Sequence, residues 1–595
     1  MAEEGEWEFW IDTGGTFTDC LGKSPDGAYH RAKVLSSSSL RASIVDLGTR
    51  SLELDFEICY PDDFFKGFQA CFSGIRETLV VQAYESKGCR LEFSDEVPEG
   101  LSQGDLVVLQ FGGEAPELGA RVLTGTPGDC SLPKSRLRLA TTKGTNALLE
   151  RKGAKTVFLV NKGLGDLLKI GNQQRPDLFA LDIRRPEPLY DDVIEVSLNS
   201  CSELLNAEDL KERLLVLREQ GVETAAICLM HSYKNSSVEV LLESLVLDCG
   251  YKTVIRSSDC APLIKILPRA ETTVVDAYLT PVLENYLNRI AGEFGEDGLS
   301  IMTSAGGLVP KSQFRAKDSL FSGPAGGLVG AVSIGEQAGA SRLIGFDMGG
   351  TSTDVARYNK LLSYQFQTKV GEARIMARSL KIETVAAGGG SVCQYDGERL
   401  RVGPESAGAD PGPACYGMGG PLTITDVNLL LGRMDADQFG IPVNLEKSED
   451  QLRKLQETLG VTDELCDELL AGLLAIANEN MTDAIKEIST GEGYDPVDYT
   501  LVAFGGAGGQ HACGVAEKLG VAEVLIPGDA GLLSAFGLSK AVPEGFAERQ
   551  LLSTYDAFIS DVDSLTDELE SMALNKLNPR TEVLHACIEG SLVCA

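Results

Sequence analysis

Two short apolar runs, Trp7 to Ile11 and Leu343 to Phe346, each lead directly into an Asp-x-Gly-Gly-Thr turn, and the residues after each turn can continue as the second strand of a hairpin. A third strand-like run, Tyr499 to Phe504, passes into Gly505-Gly-Ala-Gly-Gly-Gln-His-Ala512 and then into a helical pattern ending near Leu519. Alternating segments such as Leu106-Val-Val-Leu-Gln-Phe111 predict a small β-rich insertion at about residues 40–137. The run Leu465 to Ile488, with Leu469, Leu470, Leu473, Ile476, Met481 and Ile485 at helical spacing, predicts a core-packing helix. Near the end, Glu582 to Cys594 reads as a strand that stops with the chain.

The segments Asp12-Thr-Gly-Gly-Thr-Phe-Thr-Asp19 and Asp347-Met-Gly-Gly-Thr-Ser-Thr-Asp354 agree at six of eight positions, which makes them an internal repeat. A Gly-Gly pair lets backbone amides approach a ligand, threonine hydroxyls add donors, and an aspartate holds a metal through water. The two copies therefore predict a phosphate-and-magnesium cradle. Asp12 and Asp347 are the candidate catalytic and Mg²⁺-holding residues, and Gly14, Gly15, Thr16, Thr18, Gly349, Gly350, Thr351 and Thr353 the candidate phosphate contacts. The competing reading is a tight hairpin, for which Asp and Gly are ordinary residues; two matched copies in matched contexts weigh against it.

Asp19 and Asp354 close the motifs and stand open between turn stabilisation and orienting the threonine or the metal's water. Gly505, Gly506, Gly508 and Gly509 form a strand-to-helix turn suited to a nucleotide, and no acidic residue follows at the spacing of a dinucleotide fold. His511 begins that helix and is given no proton-transfer role. Lys143, Asn146, Ser322 and Gly323 lie in two further anion-facing turns and are candidates to meet an organic substrate, with helix capping the alternative.

Composition narrows the partners. With 87 acidic and 53 basic residues the net charge is −34, which argues against nucleic acid or an anionic membrane surface, so a bound phosphate needs a local positive pocket or a divalent cation. The fifteen cysteines form no C-x-x-C pair and are read as reduced, mostly buried thiols. No window approaches a membrane span, and the start Met-Ala-Glu-Glu-Gly-Glu lacks the features of a signal peptide, so a cytoplasmic protein is expected.

The order of two Asp-x-Gly-Gly-Thr hairpins and a late glycine turn resembles the phosphate-1, phosphate-2 and adenosine elements of actin, hexokinase and the seventy-kilodalton chaperones. Ile11 to Asp19, Ala140-Thr-Thr-Lys-Gly-Thr-Asn-Ala-Leu-Leu-Glu-Arg151, Ser322-Gly-Pro-Ala-Gly326, Gly345 to Asp354, Ala387-Gly-Gly-Gly-Ser391, Gly403 to Tyr416, Thr423-Ile-Thr-Asp426 and Phe504 to His511 are similar to the hydantoinase A family, which includes 5-oxoprolinase. Lys33-Val-Leu-Ser36 favours the 5-oxoprolinase branch.

The resemblance implies an α/β fold of duplicated ribonuclease-H-like, actin-type halves around a nucleotide cleft, with ATP and Mg²⁺ bound. The implied reaction is opening of a cyclic amide, 5-oxo-L-proline to L-glutamate first. The alternatives are the ATP-using subunit of an N-methylhydantoinase or an acetone-type carboxylase, and an actin-like assembly or regulatory protein. A B-type half in cis or trans, and an oligomer, are the implied partners. The expected division is 1–200 for the first half with its insertion, 201–540 for the second, and 541–595 for the start of a further domain.

Overall fold

The computed structural model describes residues 5–577, apart from 57, 73–74, 175–180, 182–185, 200–203, 206, 409, 437–442 and 552–554. The strand expected at 582–594 lies outside the described residues.

The chain starts with three antiparallel strands, β1 (Trp7–Thr13), β2 (Phe17–Lys23) and β3 (Tyr29–Leu35). It then forms a closed barrel from β4 (Ser39–Leu47), β5 (Ser51–Asp55), β6 (Gln69–Phe72), β7 (Thr78–Glu85), β8 (Arg90–Phe93) and β9 (Leu106–Gln110). The barrel order is β4-β5-β8-β7-β6-β9, and β9 pairs back onto β4, so no free edge is left. Its interior is filled by Phe64, Phe65 and Phe68, all fully buried, with Tyr84 and Phe111 against them. This is the β-rich insertion, and it joins the main sheet through the single pair Leu35↔Ser39.

Next, β10 (Ser135–Thr141) returns to pair in parallel with β1. Four parallel strands follow, β11 (Thr156–Asn161), β12 (Asp192–Val196), β13 (Thr224–Cys228) and β14 (Thr253–Arg256), in a separate sheet of order β12-β11-β13-β14. The long helix Ile266–Phe294 then carries the chain back, and β15 (Leu299–Met302) and β16 (Leu308–Pro310) add to the first sheet beside β10.

The second sheet repeats the first. After β17 (Arg342–Met348) and β18 (Thr353–Asn359) come four short strands, β19 (Tyr364–Gln365), β20 (Thr368–Val370), β21 (Ala373–Ile375) and β22 (Ser379–Leu380). Then come β23 (Ile382–Val385), the hairpin β24 (Ser391–Tyr395) and β25 (Leu400–Ser406), and finally β26 (Thr500–Phe504) and β27 (Glu523–Leu525). The order β23-β18-β17-β26-β27 matches β3-β2-β1-β10-β15 strand for strand, antiparallel on one side of the central strand and parallel on the other. The helix expected around Leu465–Ile488 is Cys466–Ile488; it buries Leu469, Leu470, Leu473, Met481 and Ile485, while Ile476 packs partly buried against the same core.

One expectation is corrected. A boundary at 200/201 cuts through the four-stranded sheet, because β12 lies before it and β13 after it. The first repeated sheet takes its last parallel strand from Leu299–Met302, so the second unit begins after about residue 320. Strand pairing across more than a hundred and fifty residues decides this, and local periodicity carries no trace of it. Among the described residues no helix is long and apolar enough to cross a membrane, and the described cysteines are all free. Cys59, Cys130 and Cys513 are exposed, so the thiols are less uniformly buried than expected.

Candidate active site

The two repeated hairpins have the same register. Asp12 pairs with Asp19 and Thr13 with Thr18 in the first; Asp347 pairs with Asp354 and Met348 with Thr353 in the second. Each tip closes on the same backbone bond, Gly14 N–H to Phe17 O and Gly349 N–H to Ser352 O, both at 3.0 Å. Thr16, Gly15, Gly350 and Thr351 stand exposed at the tips, with Gly14 and Gly349 beside them.

Thr18 and Thr353 do not share that exposure. Both are fully buried: Thr18 Oγ1 bonds Ser36 Oγ at 3.0 Å, and Thr353 Oγ1 donates to Ala387 O. Their expected phosphate contact is therefore corrected to a structural one, since each hydroxyl is already used inside the protein. The tips are braced by segments for which the residue-by-residue reading assigned no role. Ser36 donates from N to Thr16 O and from Oγ to Gly14 O, while Gly389 and Gly390 donate their N–H groups to Gly349 O and Gly350 O.

A helix, Ser322–Gln337, ties the two hairpins together. A β-carbon on Gly323 would lie 3.3 Å from Asp12 Oδ1, and one on Gly327, a turn later, 3.3 Å from Asp347 Oδ2. Behind it the helix Leu533–Lys540 packs backbone to backbone, since a β-carbon on Gly537 would fall 1.8 Å from Gly326 O. Ser322 is buried, with its hydroxyl bonded to the N–H and carbonyl of Thr141, so that hydroxyl is not free for a substrate.

Burial and like charge raise the carboxylates. Asp12 is pushed up to about 7, first by burial and then by Asp19, with Lys33 and a Ser534 hydrogen bond acting the other way. Asp347 is raised well above the usual carboxylate range by burial, Asp354, Asp12 and Asp19. Burial lifts Asp354 to about 6 against the Thr384 hydrogen bond of 2.6 Å, and also raises Asp19 despite its 2.7 Å ion pair with Lys33. Asp12 Oδ1 is buried with no hydrogen-bond partner. Four acidic groups converging on one place, one with an orphaned oxygen, favour a bound cation. Among the described residues no set of three His, Cys, Asp or Glu stands in direct metal-ligating geometry.

The strand-to-helix turns after β10 and β26 flank these hairpins. Asp12 pairs with Ala140 and Asp347 with Phe504, so the turns occupy equivalent places. After β26 the helix Gly505–Leu519 starts at once. Gly505 has φ +80°, and a β-carbon there would lie 2.3 Å from Asp347 Oδ1. Gly506 is exposed with open space where a side chain would go, and Gly509 is exposed as well. Gly508 is buried against Phe346 O, so its role is close packing of the helix on β17 rather than ligand contact.

After β10, Lys143 is exposed with Nζ 5.6 Å from the Tyr286 ring centre, and Tyr286 reaches Thr13 Oγ1 at 3.2 Å. Asn146 stands beside the first tip, its Nδ2 3.8 Å from where a Gly15 β-carbon would be.

His511 belongs to the core. It is fully buried between Asn478, 2.8 Å from Nδ1, and Asn428, 3.0 Å from Nε2, and burial lowers it to about 4. It is a neutral imidazole joining three helices beneath the glycine turn.

Comparison with known proteins fits this geometry. The profile described as "Hydantoinase/oxoprolinase" matches residues 269–544, and that described as "Hydantoinase/oxoprolinase N-terminal region" matches residues 132–250. A 5-oxoprolinase of Dictyostelium discoideum is 36% identical over 514 residues, which cover 75% of this chain and 41% of that protein. The caprolactamase subunit alpha of Pseudomonas jessenii is 34% identical over 422 residues, 67% of this chain and 60% of that one. The crystal structure of the ATP-dependent caprolactamase from the same organism superposes with a TM-score of 0.68 at 26% identity, covering 96% of this chain and 76% of that chain. The chain thus spans about 41% of the length of the 5-oxoprolinase it matches.

Proposed function

Because the chain belongs to the hydantoinase/oxoprolinase family, we propose that it is the ATP-using part of an enzyme that opens a cyclic amide, with 5-oxo-L-proline as the first substrate to test. The two equivalent sheets are read as the duplicated ribonuclease-H-like halves of an actin-type ATPase. The observation that carries this reading is the convergence of Asp12 and Asp347 from those sheets onto one helix, each beside an exposed glycine-threonine tip.

A lactam carbonyl resists water at neutral pH. Transfer of the γ-phosphoryl group to its oxygen breaks the bond to ADP, forms a C–O–P linkage with loss of the amide proton and makes the carbon electrophilic. One water then adds and the C–N bond breaks to free the amine and leave an acyl phosphate, and a second water displaces phosphate to give the carboxylate. The exposed N–H and hydroxyl groups at residues 15–16 and 350–351 hold the phosphates, and the open space at Gly506 admits the nucleoside. Mg²⁺ held through water by Asp12 and Asp347 would neutralise charge on the transferring group, and the orphaned Asp12 Oδ1 fits such a water. Hydrolysis is assigned to a B-type half, consistent with a caprolactamase relative named as a subunit alpha.

The test measures phosphate and glutamate release from ATP with 5-oxoproline, caprolactam and a hydantoin, with and without a B-type partner. Lactam-stimulated ATP turnover that yields glutamate only with the partner is expected. Full lactam opening by this chain alone would refute the division of labour, and ATP turnover that depends on bicarbonate and a ketone would refute the substrate class.

A further inference from the structure

The repeat of the two sheets extends one strand beyond the motifs, and there the halves differ. Reading across β1-β2-β3, Asp12 pairs with Asp19 and Asp19 with Lys33. Reading across β17-β18-β23, Asp347 pairs with Asp354 and Asp354 with Thr384. Lys33 and Thr384 therefore hold the same place in the two halves. Lys33 Nζ forms a 2.7 Å ion pair with Asp19 Oδ1 and lies over the Phe17 ring of the same hairpin. Thr384 gives Asp354 a neutral hydrogen bond of 2.6 Å, and among the described residues no Lys or Arg forms an ion pair with Asp347 or Asp354.

The next element repeats the imbalance. The turn after β10 carries Lys143, while the equivalent turn after β26 is glycine and alanine through Gly509. Both lysines thus belong to the first half, in a chain whose overall charge is −34.

We propose that the two hairpins share the nucleotide complex unequally by charge: Lys33, by neutralising Asp19, turns the first hairpin toward the terminal phosphate, and the divalent cation that Asp12 and Asp347 hold through water lies nearer the Asp347–Asp354 pair. This rests on the nucleotide reading above. A carboxylate pair without a nearby cation attracts a metal ion more strongly than one already paired, and an ammonium group repels it. Lys33 is a positioning residue, since it acts through Asp19.

The experiment titrates Mn²⁺, read by electron paramagnetic resonance, onto the protein saturated with a non-hydrolysable ATP analogue, and separately titrates that analogue and ADP. In Thr384→Lys, Mn²⁺ affinity should fall about tenfold or more. In Lys33→Thr it should change by less than about threefold, while preference for the triphosphate analogue over ADP falls about tenfold and Lys33→Arg restores most of it. Asp354→Asn against Asp19→Asn repeats the comparison without an added side chain, and the first should weaken Mn²⁺ binding more. Equal loss of Mn²⁺ affinity from Lys33→Thr and Thr384→Lys, or from the two Asn variants, in proteins with unchanged melting curves overturns the division. Failure of the wild-type chain to bind the analogue overturns the nucleotide reading itself.

Discussion

Asp12 and Asp347 lie against the same helix one turn apart, Asp12 at Gly323 and Asp347 at Gly327, although they belong to separate sheets. Any side chain larger than hydrogen at those glycines would press on a carboxylate at 3.3 Å. The helix therefore fixes the separation of the two acids, and a change of angle between the sheets is felt at both.

The raised Asp12 gives a stability prediction. Its carboxyl titrates near 3.8 when unfolded and at about 7 in the fold, so between those values the folded chain binds the extra proton. That contribution is complete below about pH 4 and is lost as pH rises through 7. Asp12→Asn removes the ionisation, so the ligand-free variant should be more stable than wild type at pH 8 by on the order of 2 kcal/mol, with the gain vanishing near pH 4. Urea unfolding at both pH values checks it; a variant less stable than wild type at pH 8 contradicts the buried, repelled state of Asp12.

Asp347→Asn should lower ATP turnover by about two orders of magnitude while the far-ultraviolet circular dichroism is unchanged, because the shape is kept and the charge at the metal is removed. For wild type, Mg-ATP at a hundred times its dissociation constant should add about 2.7 kcal/mol to stability. An unchanged melting temperature at millimolar Mg-ATP would count against the nucleotide site.

The neighbouring glycines Gly505 and Gly506 separate packing from binding. Gly505→Ala places a methyl 2.3 Å from Asp347 Oδ1 at φ +80°, and should cost about 2 kcal/mol or more. At Gly506 a methyl meets nothing within 4 Å, so Gly506→Ala should melt within a degree or two of wild type yet bind ATP more weakly. Normal ATP affinity in Gly506→Ala would move the nucleoside elsewhere.

His511 predicts an acid-side loss. It is lowered to about 4 in the fold from 6.5, so the unfolded chain takes up the proton first as pH falls. Stability should drop by about 3 kcal/mol between pH 6.5 and 4 through this group alone. His511→Ala should remove that component and, by leaving Asn478 and Asn428 without a partner, cost about 2 kcal/mol at pH 7.5. Denaturant curves across the pH range compare the two proteins.

Much of this site could be read along the chain, because its parts are local. Strand, glycine turn and strand recur within eight residues at Asp12 and at Asp347, and the alternation that makes each hairpin lies in those same residues. The helix after Phe504 and the core helix Cys466–Ile488 follow from apolar spacing in the same way. Motif chemistry, however, does not tell which threonine faces outward. Thr16 and Thr351 sit at exposed tips, whereas Thr18 and Thr353 turn into the core toward Ser36 and Ala387, and only the register and the neighbouring segments decide that.

What the amino-acid order determined by itself is the pair of hairpins, the acidic and glycine residues within them, and a β-rich insertion at about 40–137, whose strands the structure confines to 39–110 ahead of a helix at Ala115–Thr124, all read from periodicities of two and 3.6 and from turn residues. What only the tertiary structure decided is their assembly. Leu299–Met302 completes the sheet begun at Trp7, the barrel closes through β9 on β4, His511 is sealed between two asparagines, and Lys33 and Thr384 occupy matching places with different charge. Each of these joins residues far apart in the chain, and such pairings are selected by which surfaces bury and bond best together rather than by any local pattern.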